Sequence, residues 1–223
     1  MRSVSVSCFV AAAMAFGLAG TATAQTTSAS TQPTAIGPTV SYWTASGFVG
    51  TGFGTKGDSA AVDENAGGVA FGGQLAYLWH GYVGPEFLAE WAPTFDVTSA
   101  LVENNPRVGS YMANAIAAIP LGANGQIAPY ASGGFGGITM RADVLNSDGS
   151  FTGNSEMRWG TNIGGGVMAF ASRRIGLRGD VRYYHAGTDN ALNEGISPQG
   201  AVVQRLVSGL EFWRTTGGVT FRW

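Results

Sequence analysis

Charged side chains recur at even spacings in a chain that carries few of them. Arg178, Asp180 and Arg182 stand two residues apart, Glu86 and Glu90 four apart, and Arg214 and Arg222 eight apart. On an extended strand an even spacing puts side chains on one face. Carboxylates and guanidiniums gathered in this way pair through charge-assisted hydrogen bonds. His185 offers different chemistry. An imidazole base needs a hydroxyl nucleophile on its own face and an acid to orient the ring. Two residues beyond it stands Gly187, while Thr188 alternates to the other face, so the nucleophile is missing. His80, next to Gly81, is a turn residue.

Other chemistry finds no support. The glycine pairs Gly133-Gly134 and Gly164-Gly165-Gly166 are not followed by Gly-Lys-Ser/Thr, so they are not phosphate loops. In strands, glycines ease curvature and close approach. No His or Cys cluster has metal-ligand spacing, and Asp58…Asp63-Glu64 lacks the spacing of an EF-hand. The net charge of −2 argues against nucleic acid. No metal, cofactor or catalytic residue is expected.

The elements that hold these residues follow from composition. Hydrophobic residues make up 45% and charged residues 12%, about half the ~25% of soluble domains, and glycines number 35. Residues 1–24 read as a signal peptide: Arg2 at the start, an apolar stretch from Phe9 to Gly20, and Ala22-Thr23-Ala24 before cleavage at Gln25. The only cysteine, Cys8, leaves with it, so no disulfide is available. Residues 25–40 form a Thr/Ser/Ala/Pro-rich periplasmic lead-in. Beyond it no apolar run is long enough for a transmembrane helix. An apolar, weakly charged chain of this kind hides its surface by spreading apolar residues over alternate positions of a membrane barrel.

Residues 41–223 carry the alternation. The candidate strands are Tyr42–Thr55, Gly68–His80, Tyr82–Pro93, Gly109–Ile119, Gln126–Met140, Met157–Ala171, Ile175–His185 and Phe212–Trp223. The connections alternate between short and long, as periplasmic turns and outer loops do. In the last strand Trp213, Thr215, Gly217, Val219, Phe221 and Trp223 share one face, opposite Arg214 and Arg222. In the seventh, Ile175, Leu177, Val181 and Tyr183 oppose Arg178, Asp180 and Arg182. In the third, Val83, Phe87, Trp91 and Phe95 oppose Glu86 and Glu90. The apolar faces look to lipid, with Trp79, Tyr82, Trp91, Trp159, Trp213 and Trp223 as candidates for two interfacial girdles. The polar faces put Glu86, Glu90, Arg158, Arg178, Asp180, Arg182, Arg214 and Arg222 in the lumen. Matching depths on the third and seventh strands sets Glu86 level with Arg178, and Glu90 level with Arg182 higher up. The outer loops are acidic. Asp58, Asp63, Glu64, Asp96, Glu103, Asp143, Asp148, Glu156, Asp189, Glu194 and Glu211 stand against Lys56, Arg107, Arg141 and Arg205.

Gly176-Leu177-Arg178-Gly179-Asp180-Val181-Arg182-Tyr183, Trp213-Arg214 and the ending Gly218-Val219-Thr220-Phe221-Arg222-Trp223 resemble the outer-membrane β-barrel domain family of OmpA-like and OmpX-like small porin-family proteins. The resemblance implies an all-β, eight-stranded antiparallel up-and-down transmembrane barrel in the bacterial outer membrane. Its partners would be lipid, lipopolysaccharide and the barrel-assembly machinery, and a monomer is expected. The expected role is a structural or porin-like envelope component. The alternatives are a surface adhesin and a lipid A-modifying enzyme. Tyr183-Tyr184-His185-Ala186-Gly187 slightly resembles the His-x-Ser-Asn stretch of lipid A deacylases, but Gly187 stands where the serine would be, which argues against an enzyme.

Overall fold

The computed structural model describes residues 40–56, 68–93, 102–122, 125–145, 148, 150–187 and 209–223. The expected signal peptide, 1–24, lies outside them, as does the lead-in 25–40 apart from Val40. The strands are β1 (Tyr42–Lys56), β2 (Val69–Leu78), β3 (Val83–Ala92), β4 (Val102–Ala118), β5 (Ile127–Leu145), β6 (Phe151–Phe170), β7 (Ile175–Ala186) and β8 (Glu211–Arg222). Each pairs antiparallel with its chain neighbours, and β8 pairs with β1. The sheet is therefore a closed up-and-down barrel of eight strands, the fold class that the alternation predicts.

The register sets the width. Thr44 lies opposite Ala76, and the row continues through Glu86, Asn114, Gly134, Asn162, Tyr184 and Phe212. Phe212 falls one residue past the Phe53–Trp213 pair, level with Gly54. One circuit thus climbs from residue 44 to residue 54, a stagger of ten. With a rise of about 3.3 Å per residue and about 4.8 Å between strands, this gives a tilt of about 40° and a backbone radius of about 8 Å. Side chains fill an interior of that size.

Three strands outrun their alternation. β4 begins at Val102 rather than Gly109, β5 ends at Leu145 rather than Met140, and β6 begins at Phe151 rather than Met157. The added residues include Asn, Pro, Arg and Asp, which are depleted in strands. Unbroken pairing from Met140–Glu156 to Leu145–Phe151 carries the β5–β6 ladder through them, while the β4–β5 ladder shifts register between Glu103 and Arg107, around Pro106. At 20 residues β6 is about twice the length that a tilted membrane crossing needs. Glu103, Asp143, Glu156 and Glu211, expected in loops, accordingly lie on strands, as do Lys56, Arg107 and Arg141. Asp58, Asp63, Glu64, Asp96, Asp189, Glu194 and Arg205 fall outside the described residues, as does Phe95. Asp148 sits in a turn. The Ser150 hydroxyl and backbone N–H, 2.6 and 2.9 Å from its Oδ1, hold its carboxyl below the usual range.

The opposite end has tight turns. His80 and Gly81 both adopt positive φ, 50° and 81°. The His80 N–H donates to the Ser41 hydroxyl at 3.0 Å. Trp79, Tyr82 and Trp223 gather at this turn end, and Trp43, not singled out by the sequence, joins them against Tyr77 at 5.1 Å. Trp91, Trp159 and Trp213 lie toward the loop end, and all six expected aromatics except half-buried Tyr82 are exposed on the outer face. Ten residues separate Trp213 from Trp223. At the tilt derived above this is about 25 Å along the axis, the height of an outer-membrane barrel's apolar band.

Candidate functional site: a charged layer inside the barrel

The inward positions of β3, β6, β7 and β8 carry the eight charged residues, and each is at most 9% exposed. Glu86 is the centre of the larger cluster. Its Oε2 accepts from Arg178 Nη2 at 2.9 Å, and its Oε1 lies 3.3 Å from Arg182 Nη2. Asp180 Oδ2 lies 3.2 Å from Arg182 Nη2 and 3.6 Å from Arg178 Nη2. Two carboxylates thus face two guanidiniums, and the cluster is neutral.

Neutral side chains complete it. The Ser132 hydroxyl and the Asn114 amide donate to Glu86 Oε1 at 2.6 and 3.0 Å. Asn162 donates to Asn114 at 2.7 Å and accepts from Arg182 Nη1 at 2.7 Å. The Tyr130 hydroxyl donates to Asp180 at 2.5 Å, and its ring lies 4.0 Å beneath the Arg178 guanidinium. Glycines leave the room. A Cβ on Gly164 would stand 2.9 Å from Cα and Cβ of Arg182, and one on Gly166 would stand 2.7 Å from the Tyr130 hydroxyl.

Glu90 belongs to a second pair. Equal depth on β3 and β7 would pair it with Arg182, but its Oε2 accepts from Arg214 Nη1 at 2.8 Å. Ser110 and Tyr184 donate to the same oxygen at 3.1 and 2.5 Å. The reason is local. Arg182 is drawn down to Asp180, two residues away on its own strand, while Arg214 lies directly across from Arg182 on β8. Arg222 stands apart at the turn end. It donates to the carbonyls of Arg173 and Gly125 at 2.8 and 3.0 Å and lies 4.0 Å over the Phe170 ring. Arg158 is buried opposite Ile138 toward the loop end of β6.

The lumen is not polar throughout. Leu78, Ile116, Ala128, Met168 and Phe170 pack with Tyr42 and Tyr130 on the turn side of the larger cluster. Leu88, Met112, Val108, Ile138, Met140 and Phe212 pack on its loop side. Along β4 the inward residues read Val108, Ser110, Met112, Asn114, Ile116 and Ala118, so polar and apolar layers alternate. Strand parity showed that β4 alternates, yet it named none of these inward apolar residues, because facing on a Gly- and Ala-rich strand has no charged marker. On β1, β2 and β8 the hydroxyls of Thr44, Ser46 and Thr220 and the Gln74 Nε2 are buried without a hydrogen-bond partner. Arg178 Nε and Nη1 and Arg214 Nε are also unpartnered.

His185 is on the outer face. Its Nδ1 lies 3.2 Å from Glu211 Oε1, an orienting acid that sequence spacing did not reveal. Gly187 stands beside it, where a same-face nucleophile would have to be. Among the described residues, no group of His, Cys, Asp and Glu could hold a metal ion.

Comparison with known proteins follows the fold. The model of the outer membrane protein β-barrel domain family matches residues 9–203. No curated protein matches the chain. Among solved structures, Neisserial surface protein A is 14% identical over 81% of this chain and 96% of its own, with a TM-score of 0.55. The outer membrane protein OprG of Pseudomonas aeruginosa is 16% identical over 84% and 98%, with a TM-score of 0.51. At these identities the likeness is one of fold.

Proposed function

The chain belongs to the outer membrane protein β-barrel domain family, and we propose that it is a closed, structural barrel of the bacterial outer membrane that conducts no solute. One observation carries this reading: apolar layers flank the charged cluster on both sides. A pore needs an open polar path, and the inward side chains of Leu88, Met112, Ile116 and Met168 on β3, β4 and β6 are at most 2% exposed, while Thr44 on β1 and Thr220 on β8 are fully buried. The neutral cluster then serves as a specific polar plug. The strand extensions of β4, β5 and β6 and the connections beyond them face the outside and are available to partners there.

Arg2, the apolar stretch from Phe9 to Gly20 and Ala22-Thr23-Ala24 support export, and family membership supports the outer-membrane setting. The protein would reach the outer membrane through a signal peptide cleaved before Gln25, be inserted by the barrel-assembly machinery, and work as a monomer amid lipid and lipopolysaccharide. Gly187, in place of a hydroxyl beside His185, supports a role without catalysis.

Planar-bilayer recording tests the reading. The wild-type protein and a Glu90→Ala variant are both expected to be silent, because the apolar layers remain in both. Reproducible current steps that widen in Glu90→Ala would replace the plug with a gate.

A further inference from the structure

The outer face carries a built site at the loop end. Phe135, Thr161, His185 and Glu211 form one unbroken register row across β5, β6, β7 and β8. Beside the row lies a groove of about 410 Å³ lined by Phe135, Trp159, Gly160, Thr161, His185 and Gly187. Its walls are aromatic, and Gly187 keeps it open, because a Cβ there would come within 3.1 Å of the Trp159 carbonyl. One end is polar. Glu211 holds His185 through Nδ1 at 3.2 Å. The His185 and Glu211 side chains stay 44% and 35% exposed, so they can be reached.

We propose that this groove binds the acyl chain of an outer-leaflet lipid whose head bears a hydroxyl or amide N–H donor close to the chain. The occupant follows from place and chemistry. The groove continues the exposed apolar band and lies level with Trp159 and Trp213, where a bilayer's acyl chains meet their heads. Glu211 engages His185 through Nδ1, and a hydroxyl or amide N–H beside the chain can donate to the part-exposed Glu211 carboxylate or bond the other ring nitrogen of His185. The Glu211 carboxylate disfavours a bare phosphate at the same spot. The site is independent of whether the lumen conducts, since it uses the opposite face of the sheet.

Native mass spectrometry of the detergent-solubilised full chain tests this with two probes, N-myristoylglucosamine and myristyl phosphate. The wild type is expected to retain one N-myristoylglucosamine and to prefer it over myristyl phosphate. His185→Ala should weaken that binding about ten-fold, the worth of one hydrogen bond. Gly187→Leu, which fills the groove, should abolish retention of both probes. A heat-modifiable gel shift confirms that each variant is folded, and His185→Gln serves if His185→Ala is not. Equal retention by wild type and His185 variants, or a preference for myristyl phosphate, would overturn the proposal. So would release of free myristate, which would make the site catalytic.

Discussion

Glu86→Ala should cost the barrel roughly 3–5 kcal/mol, more than any other single charge removal. The variant leaves Arg178 and Arg182 in an interior where their shared carboxylate is gone and only Asp180 remains. Ser132 and Asn114 lose their acceptor as well. Glu86→Gln keeps an acceptor for those two donors and removes only the charge, so its loss should be smaller, about 1–3 kcal/mol. Replacing both partners should recover much of the loss. Glu86→Leu with Arg178→Met fills the same space with apolar groups and leaves Arg182 paired with Asp180. Urea unfolding in lipid vesicles, followed by tryptophan fluorescence, reads all three. A double variant less stable than Glu86→Ala alone would contradict the pairing.

Arg214→Ala should be the second large effect, about 3 kcal/mol, because it strands Glu90 in the loop-side layer with only Ser110 and Tyr184 as partners. Its guanidinium also lies 4.9 Å over the Phe212 ring, so packing is lost with the charge. Glu90→Leu in the same chain should restore most of the stability. Each cluster is neutral, but Arg182 and Arg214 face each other directly across β7 and β8, so the clusters touch. Glu86→Ala and Arg214→Ala should therefore cost less together than the sum of the two, by more than ~0.5 kcal/mol, because removing Arg214 eases the repulsion on the Arg182 that Glu86→Ala leaves under-paired. Strict additivity would show that the two clusters are independent.

The strand count and the facing of the charged strands were legible because period-two alternation with a charge on one face is unambiguous. Arg178, Asp180 and Arg182 could only share a face, and so could Arg214 and Arg222. The pairing of Glu90 was not legible. Parity gives the face but not the stagger, and a stagger of ten residues decides which heights meet across the lumen. The apolar layers were hidden for another reason. Met112, Ile116, Ile138 and Met168 look like lipid-facing residues, and they sit on β4, β5 and β6, where Gly and Ala blur the alternation. The ends of β5 and β6 were missed because ladder pairing there overrides weak local propensity, and the start of β4 because its pairing with β5 resumes beyond an irregularity at Glu103 to Arg107. The His185–Glu211 contact joins residues 26 apart, across a connection whose register no local spacing encodes.

Thiol labelling reads whether the charged layer is sealed from both sides. Because Cys8 leaves with the signal peptide, Ala76→Cys places one small thiol inside the barrel, opposite Glu86 in the register and fully buried. In folded protein in lipid vesicles, a charged, membrane-impermeant thiol reagent should fail to modify residue 76 from either side, and should react fully once the barrel is heat-denatured. Labelling of the folded barrel at the rate of the unfolded chain would mean that water crosses the layer, and the closed-barrel account would be wrong.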